Sequence, residues 1–233
     1  MLSVLTPTYK RRALLEEAIY SFLLQAEPST EMVIINDAPT VWYDYYHPRI
    51  KIYNLDERFS SLGKKLEYGF SECRYPYVYR LDDDDLLAPN ALRTVMQDIH
   101  ANPGFDIYRT DKNYFFENNQ FVDIGGSLNN GNVYAKPYLE RITFPDISYG
   151  EDAAITWEQN GSTYLATHAP TMCYRWGMAT YHLSHGDYNS KNTELLATAD
   201  ERGDHEVGYI KLTPQFRQDY WAMLPLASHD PTA

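Results

Sequence analysis

Apolar runs of strand length alternate with segments of helical period along the first 110 residues, and that alternation leaves few folds open. Leu2-Ser3-Val4-Leu5 is followed by Leu14, Leu15, Ala18, Ile19, Phe22 and Leu23, which recur at the spacing of one face of a helix. Glu27-Pro28-Ser29 breaks that helix, and Met32-Val33-Ile34-Ile35 reads as a strand buried on both faces. The pattern repeats with Ile50-Lys51-Ile52-Tyr53, a helix over 64–73, and Tyr77-Val78-Tyr79-Arg80-Leu81. Pro89 is expected to open the next helix, with Leu92, Val95, Met96 and Ile99 on one face, before Phe105-Asp106-Ile107-Tyr108 resumes the sheet. Strands that alternate with helices build βαβ units. The expected fold class is therefore α/β, with a mostly parallel sheet flanked by helices.

Ligands of such sheets bind at the carboxyl ends of the strands. One of those ends carries four consecutive aspartates, Asp82, Asp83, Asp84 and Asp85. Mutual repulsion and desolvation oppose ionising all four together, so the cluster wants a counter-cation. Oxygen donors suit Mg²⁺ or Mn²⁺, which keeps further ligand positions for a substrate phosphate. That chemistry indicates a metal–diphosphate site. Taken alone, the aspartates are equally compatible with a solvated acidic turn.

Charge narrows the partners. Lys and Arg number 20 against 32 Asp and Glu, a net charge of −12, the wrong sign for a nucleic-acid coat. Two cysteines, Cys73 and Cys173, offer neither a metal knuckle nor a disulfide framework and suit a reducing compartment. The first residues enter a strand without a charged-then-apolar leader, and no apolar stretch approaches the ~20 residues of a membrane span. The expected location is cytoplasmic.

Further along, Asn129-Asn130-Gly131 marks a turn, residues 133–142 read as strand then short helix, and 144–150 form a loop. That loop delivers Glu151-Asp152 onto a helix ending near Gln159, and 162–166 and 171–176 read as short strands. The expected organisation is one domain over 1–189, with a nucleotide-binding half to about 110 and an acceptor half over 111–189. Residues 190–233, more polar, form a C-terminal extension that is helical in part.

Several of these segments fall in a familiar order. Thr6-Pro7-Thr8-Tyr9-Lys10-Arg11 looks like a "PTYNR" opening with Lys10 in place of Asn, and Ile34-Ile35-Asn36-Asp37 is similar to a "VVDDGS" strand end, although Ala38-Pro39-Thr40 departs from it. Ser61-Leu62-Gly63 is similar to an "NxG" turn, and Leu81-Asp82-Asp83-Asp84-Asp85 with Pro89 looks like "LDADDxxxP", a DXD motif. Gly150-Glu151-Asp152 resembles a late "GED". Tyr174-Arg175 followed by His182 and Ser184 is similar to a closing "YRxHxxSxS", with a longer insert before the His. Over roughly residues 2–190 the chain resembles glycosyltransferase family 2, with its GT-A fold.

The resemblance implies a metal-dependent, inverting transfer of a sugar from a nucleoside diphosphate sugar, UDP-sugar favoured, to an acceptor hydroxyl. The acceptor, whether glycan, lipid-linked glycan, protein or small molecule, is left open. It further implies Asp84 as a ligand of Mn²⁺ or Mg²⁺, Asp82 reaching metal or ribose, and His182 as a third metal or phosphate ligand with His185 as its rival. Asp83 is expected at the nucleotide, and Asp83 and Asp85 as residues that orient the loop. Thr6, Pro7, Tyr9, Asp37 and Lys64 complete the expected nucleotide site, with Lys65, Arg11 and Arg175 as further cations within reach of a diphosphate. Inversion needs a base opposite the leaving group, a role the resemblance gives to Asp152, with Glu151 at the acceptor or orienting the loop.

Plainer readings accompany several of these. Acidic residues favour the first turn of a helix, so Glu151-Asp152 also suits a cap; Asp37 also suits an Asx-turn, and Tyr9 a core position. Lysines taken singly more often form a solvated face, and Trp42-Tyr43-Asp44-Tyr45-Tyr46-His47 reads better as a packed surface loop than as a stacking platform.

A haloacid-dehalogenase-like phosphatase would place its Asp-x-Asp on the first strand rather than about the fourth. A nucleotidyltransferase would want glycine in the first loop. The remaining alternative is a catalytically inactive nucleotide-sugar or carbohydrate-binding module of the same fold.

Overall fold

The computed structural model describes residues 1–118, 120–126, 128–176 and 191–224. It opens with strand β1 (Leu2–Thr8), helix α1 (Arg12–Leu23) and strand β2 (Thr30–Asn36). Every residue of β1 and β2 is buried, as two-faced burial requires. Their side chains alternate between two cores. Val4, Met32 and Ile34 pack with Leu15, Ile19 and Phe22 of α1, whereas Leu5, Val33 and Ile35 pack on the opposite face with Leu66 and Phe70 of α2 (Leu62–Glu72). Each such side chain withdrawn from water contributes about 1.5–3 kcal/mol before entropy is counted.

After β3 (Val41–Asp44), β4 (Ile50–Asn54) and α2 come β5 (Tyr77–Arg80), the two-residue β6 (Leu86–Leu87), α3 (Ala91–Ala101), β7 (Ile107–Thr110), β8 (Lys112–Glu117) and β9 (Gln120–Gly126). Next are β10 (Val133–Ala135), α4 (Lys136–Leu139), α5 (Glu151–Trp157), β11 (Thr163–Ala166) and β12 (Met172–Trp176). Helix α6 (Asn192–Arg202), β13 (Gly208–Lys211) and a 3-10 turn at Trp221–Met223 follow. The main sheet runs β11-β7-β10-β5-β1-β2-β4, parallel except for β10 between β5 and β7. This is the mostly parallel, helix-flanked sheet that the alternation implies.

Four local differences have physical causes. Thr6-Pro7-Thr8, beyond the apolar run Leu2-Ser3-Val4-Leu5, continue the first strand in register with Ile34, Ile35 and Asn36. Proline is tolerated there because β1 pairs with β5 only as far as Leu5, so the N–H that Pro7 lacks has no ladder partner to lose. Pro89 lies outside its helix: α3 starts at Ala91, behind Asn90 in the left-handed region (φ 61°). The Trp42 segment is strand β3, paired in parallel with β13, and Trp42 stacks on Tyr209 at 5.7 Å between ring centroids. Finally, β8 and β9 form a hairpin that joins β12 and β6 in a second, four-stranded sheet.

The segment after 190 reaches far back. The Arg175 guanidinium, fully buried, pairs with Glu17 of α1 at 2.5 Å and donates to the Tyr220 hydroxyl at 3.0 Å. That hydroxyl donates in turn to Glu17 at 2.9 Å, closing a three-residue network in which each charge is answered.

Candidate functional site

A cavity of about 470 Å³ opens at the carboxyl edge of the main sheet, where β1 runs on past the end of its β5 neighbour. Pro7, Thr8, Tyr9, Asp37, Asp82, Asp84, Glu151 and Asp152 line it together. Its position is where an open α/β sheet binds ligands.

The four aspartates divide by direction. Asp83 and Asp85 are fully buried, whereas Asp82 and Asp84 line the cavity, and the Asp85 amide donates to the Asp82 carbonyl at 3.1 Å to turn the chain. Asp83 accepts from the Thr8 hydroxyl at 2.6 Å and from Arg11 Nε at 3.2 Å. Asp85 accepts from the Asn130 amide at 2.6 Å and the Arg175 backbone N–H at 3.0 Å. Arg11 also pairs with Asp84 at 2.8 Å, and Arg80 with Asp82 at 3.1 Å.

Desolvation raises the pKa of Asp83 to about 6 against the pull of Arg11, and the neighbouring Asp84 charge adds to the rise. Asp85 is raised further by burial and by the charges of Asp84 and Asp82. Oxygens of Asp82, Asp84 and Asp85 lie within 4.8 Å of one another. Carboxylates that close and that poorly solvated form a hard, oxygen-only donor set, which fits Mg²⁺ or Mn²⁺.

At the Asp37 end of the cavity, Lys65 lies buried between the Thr8 carbonyl and the Asp37 carboxylate, 2.6 Å from each. Burial lowers its pKa, and Asp37 opposes that shift. The Phe59 amide also donates to Asp37, at 3.2 Å. Arg58 lies over the Tyr9 ring, 3.7 Å from its centroid, and Asp200 of α6 receives both the Tyr9 hydroxyl and Arg58, the latter at 2.9 Å. Leu196, Ala199 and Gly203 carry the wall onward, so the segment after 190 encloses part of the cavity.

On the opposite side, Gly150 (φ 74°) turns the chain into α5, a left-handed position that glycine adopts without strain. The helix start puts Asp152 on the cavity wall, with one carboxylate oxygen 2.7 Å from the Ala153 amide. Glu151 is buried and 2.9 Å from Arg80. Burial raises its carboxyl to about 7; Arg80 opposes the rise, and Asp152 and Asp82 add to it. One buried guanidinium, Arg80, thus ties the aspartate loop to the start of α5.

Of the residues singled out in the sequence, Pro7, Tyr9, Asp37, Asp82, Asp84, Glu151 and Asp152 line one cavity, as do Arg11 and Lys65. Asp83 stands immediately behind it. Thr6 is buried within β1 and does not line the cavity; its successor Thr8 does. Lys64 is placed outside, paired with Glu67 at 2.8 Å on the exposed side of α2. Arg175 is turned into the core. His182 and His185 lie outside the described residues.

The sequence reading passed over Arg80, Arg58 and the α6 wall. Arg80 carried a signal, since an arginine inside the apolar run Tyr77-Val78-Tyr79-Arg80-Leu81 must find a buried partner. Arg58 and α6 carried none.

The profile of the family described as "Glycosyl transferase family 2" matches residues 3–145, more than half of the chain. Among curated proteins, an uncharacterized glycosyltransferase of Haemophilus influenzae is 28% identical over 117 residues, covering 48% of this chain and 39% of that protein. The putative teichuronic acid biosynthesis glycosyltransferase TuaG of Bacillus subtilis is 30% identical over 92 residues, or 36% of each. The chain thus spans well under half the length of these relatives.

Among solved structures, S. aureus TarS 1-349 in complex with UDP-GlcNAc superposes with a TM-score of 0.65 at 17% identity, covering 80% of this chain and 61% of that one. The mannosyltransferase PcManGT of Pyrobaculum calidifontis, in complex with GDP-Man and Mn2+, gives 0.60 at 16%, covering 89% and 65%. These likenesses bear out the GT-A fold. On the extent of the family match, the chain belongs to glycosyl transferase family 2.

Proposed function

We propose that the protein transfers a sugar from a nucleoside diphosphate sugar, UDP-linked by preference, to an acceptor hydroxyl with inversion, and that a divalent cation assists. The observation that carries this reading is one cavity lined together by Asp82, Asp84 and Asp152. Neighbours of the same fold that hold UDP-GlcNAc, or GDP-Man with Mn2+, support a donor of that class.

Asp82 and Asp84 would hold the cation, with Asp85 fixed behind them by Asn130 and the Arg175 amide. A cation there supplies charge stabilisation to the departing diphosphate. The chain's own residues do the rest. Asp37 and Tyr9 hold the base, and Arg11 answers the aspartate charge not met by the cation. Asp152, at the start of a helix and open to the cavity, accepts the acceptor hydroxyl's proton as its oxygen attacks the anomeric carbon. Glu151, held by Arg80, keeps the α5 start in place.

We assign residues 1–189 to the transferase domain and place the reaction in the cytoplasm. Both cysteines are free and buried, and no helix among the described residues is long and apolar enough to cross a membrane.

The test is thermal shift with UDP, GDP, dTDP, ADP and CDP, each with and without Mn²⁺. Ligand at ~100-fold its dissociation constant adds about 2.7 kcal/mol, enough to raise the midpoint by several degrees. A metal-dependent shift for UDP is the expected result. No shift for any nucleotide would defeat the donor site, and a shift without turnover of any UDP-sugar would leave an inactive binding module.

A further inference from the structure

Arg80 is held more firmly than it is satisfied. Its backbone N–H donates to the Asn132 carbonyl at 3.0 Å, and its own carbonyl accepts from the Gly131 amide at 3.0 Å, so the end of β5 is fixed against the turn before β10. The residue is 3% exposed, and its guanidinium lies between two carboxylates, Asp82 and, at the start of α5, Glu151. The Nε–Nη2 edge donates to both oxygens of Asp82, at 3.1 and 3.3 Å. On the Nη1–Nη2 edge only Nη2 is engaged, with one Glu151 oxygen at 2.9 Å. Nη1 is buried and has no hydrogen-bond partner among the described residues.

A guanidinium and a carboxylate pair best through two parallel bonds, and a buried donor left unpaired is costly. One such fork is closed on Asp82, and a second is half made on Glu151. Within the aspartate run Arg11 pairs with Asp83 and Asp84, and Arg80 is what answers Asp82. Asp82 also belongs to the donor set that fits a divalent cation. A cation there neutralises the Asp82 charge and repels the guanidinium beside it. The Arg80 charge is then left to Glu151, on the edge where Nη1 is still unused.

We propose that Arg80 is a positioning residue that couples the cation site to the helix carrying the base: when a cation engages Asp82, the Arg80 fork closes on Glu151 through Nη1 and fixes the start of α5, where Asp152 stands. With Asp82 unliganded, the guanidinium is shared and α5 is held by one bond. The proposal rests on the transferase reading above and deepens it, since it states how occupancy on the donor side reaches the base. Coupling is reciprocal, so Glu151 must influence cation affinity without ligating the cation.

Manganese titration, followed by EPR of the free ion, measures that influence. The samples are the full chain with UDP present, as parent, Glu151→Gln, Arg80→Lys and the double variant. The titration is run at pH 8, above the value of about 7 to which burial raises the Glu151 carboxyl. Glu151→Gln keeps the shape and gives up the charge, so Arg80 stays with Asp82, and manganese affinity should fall about fivefold or more. In the Arg80→Lys background, where no second fork exists, the same substitution should change affinity by less than about twofold. An equal fall in both backgrounds is the direct field of a lost charge and overturns the proposal, as does no fall in either.

Should Arg80→Lys not fold, the guanidinium NMR signals of the parent decide. Mg²⁺ with UDP is expected to move the Arg80 Nη1 protons downfield and to slow their exchange by rotation. Bound Mg²⁺ with an unmoved Arg80 signal defeats the coupling alone. Failure of either cation to bind, with UDP in excess, defeats the cation reading and the coupling together.

Discussion

At the scale of single residues, the candidate site is a set of carboxylates sorted by environment. Asp152 lies on the cavity wall beside a buried Glu151, and the two are expected to separate in function. Asp152→Asn should lower the transfer rate by about 10²–10⁴-fold, the usual worth of a general base, while the nucleotide-induced thermal shift persists. Glu151 is a stability probe instead. Its folded-state carboxyl is raised from the ordinary 4.5 to about 7, so its contribution is fully present below 4.5 and is lost as pH rises through 7. In chelator, Glu151→Gln should therefore gain melting temperature relative to the parent between pH 5 and 8. A difference independent of pH would contradict the assignment. The acidic members of the site were legible because each ends an apolar run or opens a helix. The residues that position them were not. Lys65 and Lys64 are adjacent and chemically alike, and only the phase of α2 decides which faces Asp37.

Elements show the same division. Helices α1 and α2 and strands β1 and β2 were legible because each is long, and burial on both faces of the two strands leaves little freedom of register; β4 and β5, which carry Lys51 and Arg80, were legible as short apolar-rich runs between helical segments. The β8–β9 hairpin was not, since β9 is mostly exposed and its run, Gln120-Phe121-Val122-Asp123-Ile124-Gly125-Gly126, is broken by Asp123 and closed by two glycines. Close approach between elements gives a sharper test. Gly63, in the first turn of α2, lets the Pro145 carbonyl come within contact distance of its backbone, and Gly69 faces the Leu5 side chain, 2.6 Å from where a Cβ would stand. Gly63→Ala meets rigid backbone and Gly69→Ala a side chain that can turn aside. Overpacking costs about 1–3 kcal/mol, or several degrees of melting temperature for a domain of this size. Gly63→Ala is expected to lose more than Gly69→Ala, and thermal melts of the two would show the reverse if α2 were not seated on the 144–148 loop.

Across the whole molecule, the segment after 190 is joined to the rest at many places, among them the Arg175–Glu17–Tyr220 network, the β3–β13 pairing, and the α6 wall of the cavity. None of these partners is near in sequence, which is why only a polar, partly helical extension could be read there. Tyr220→Phe removes the hydroxyl that both Arg175 and Glu17 use, and should cost about 1–3 kcal/mol in urea unfolding. A neutral result would mean that the network is satisfied without it. The α6 wall also has a consequence in time. A chain emerging from the ribosome completes its main sheet when β11 appears, yet the cavity lacks Leu196, Ala199 and Gly203 until α6 follows. A nascent chain halted before α6 would hold its main sheet complete and the cavity open on that side.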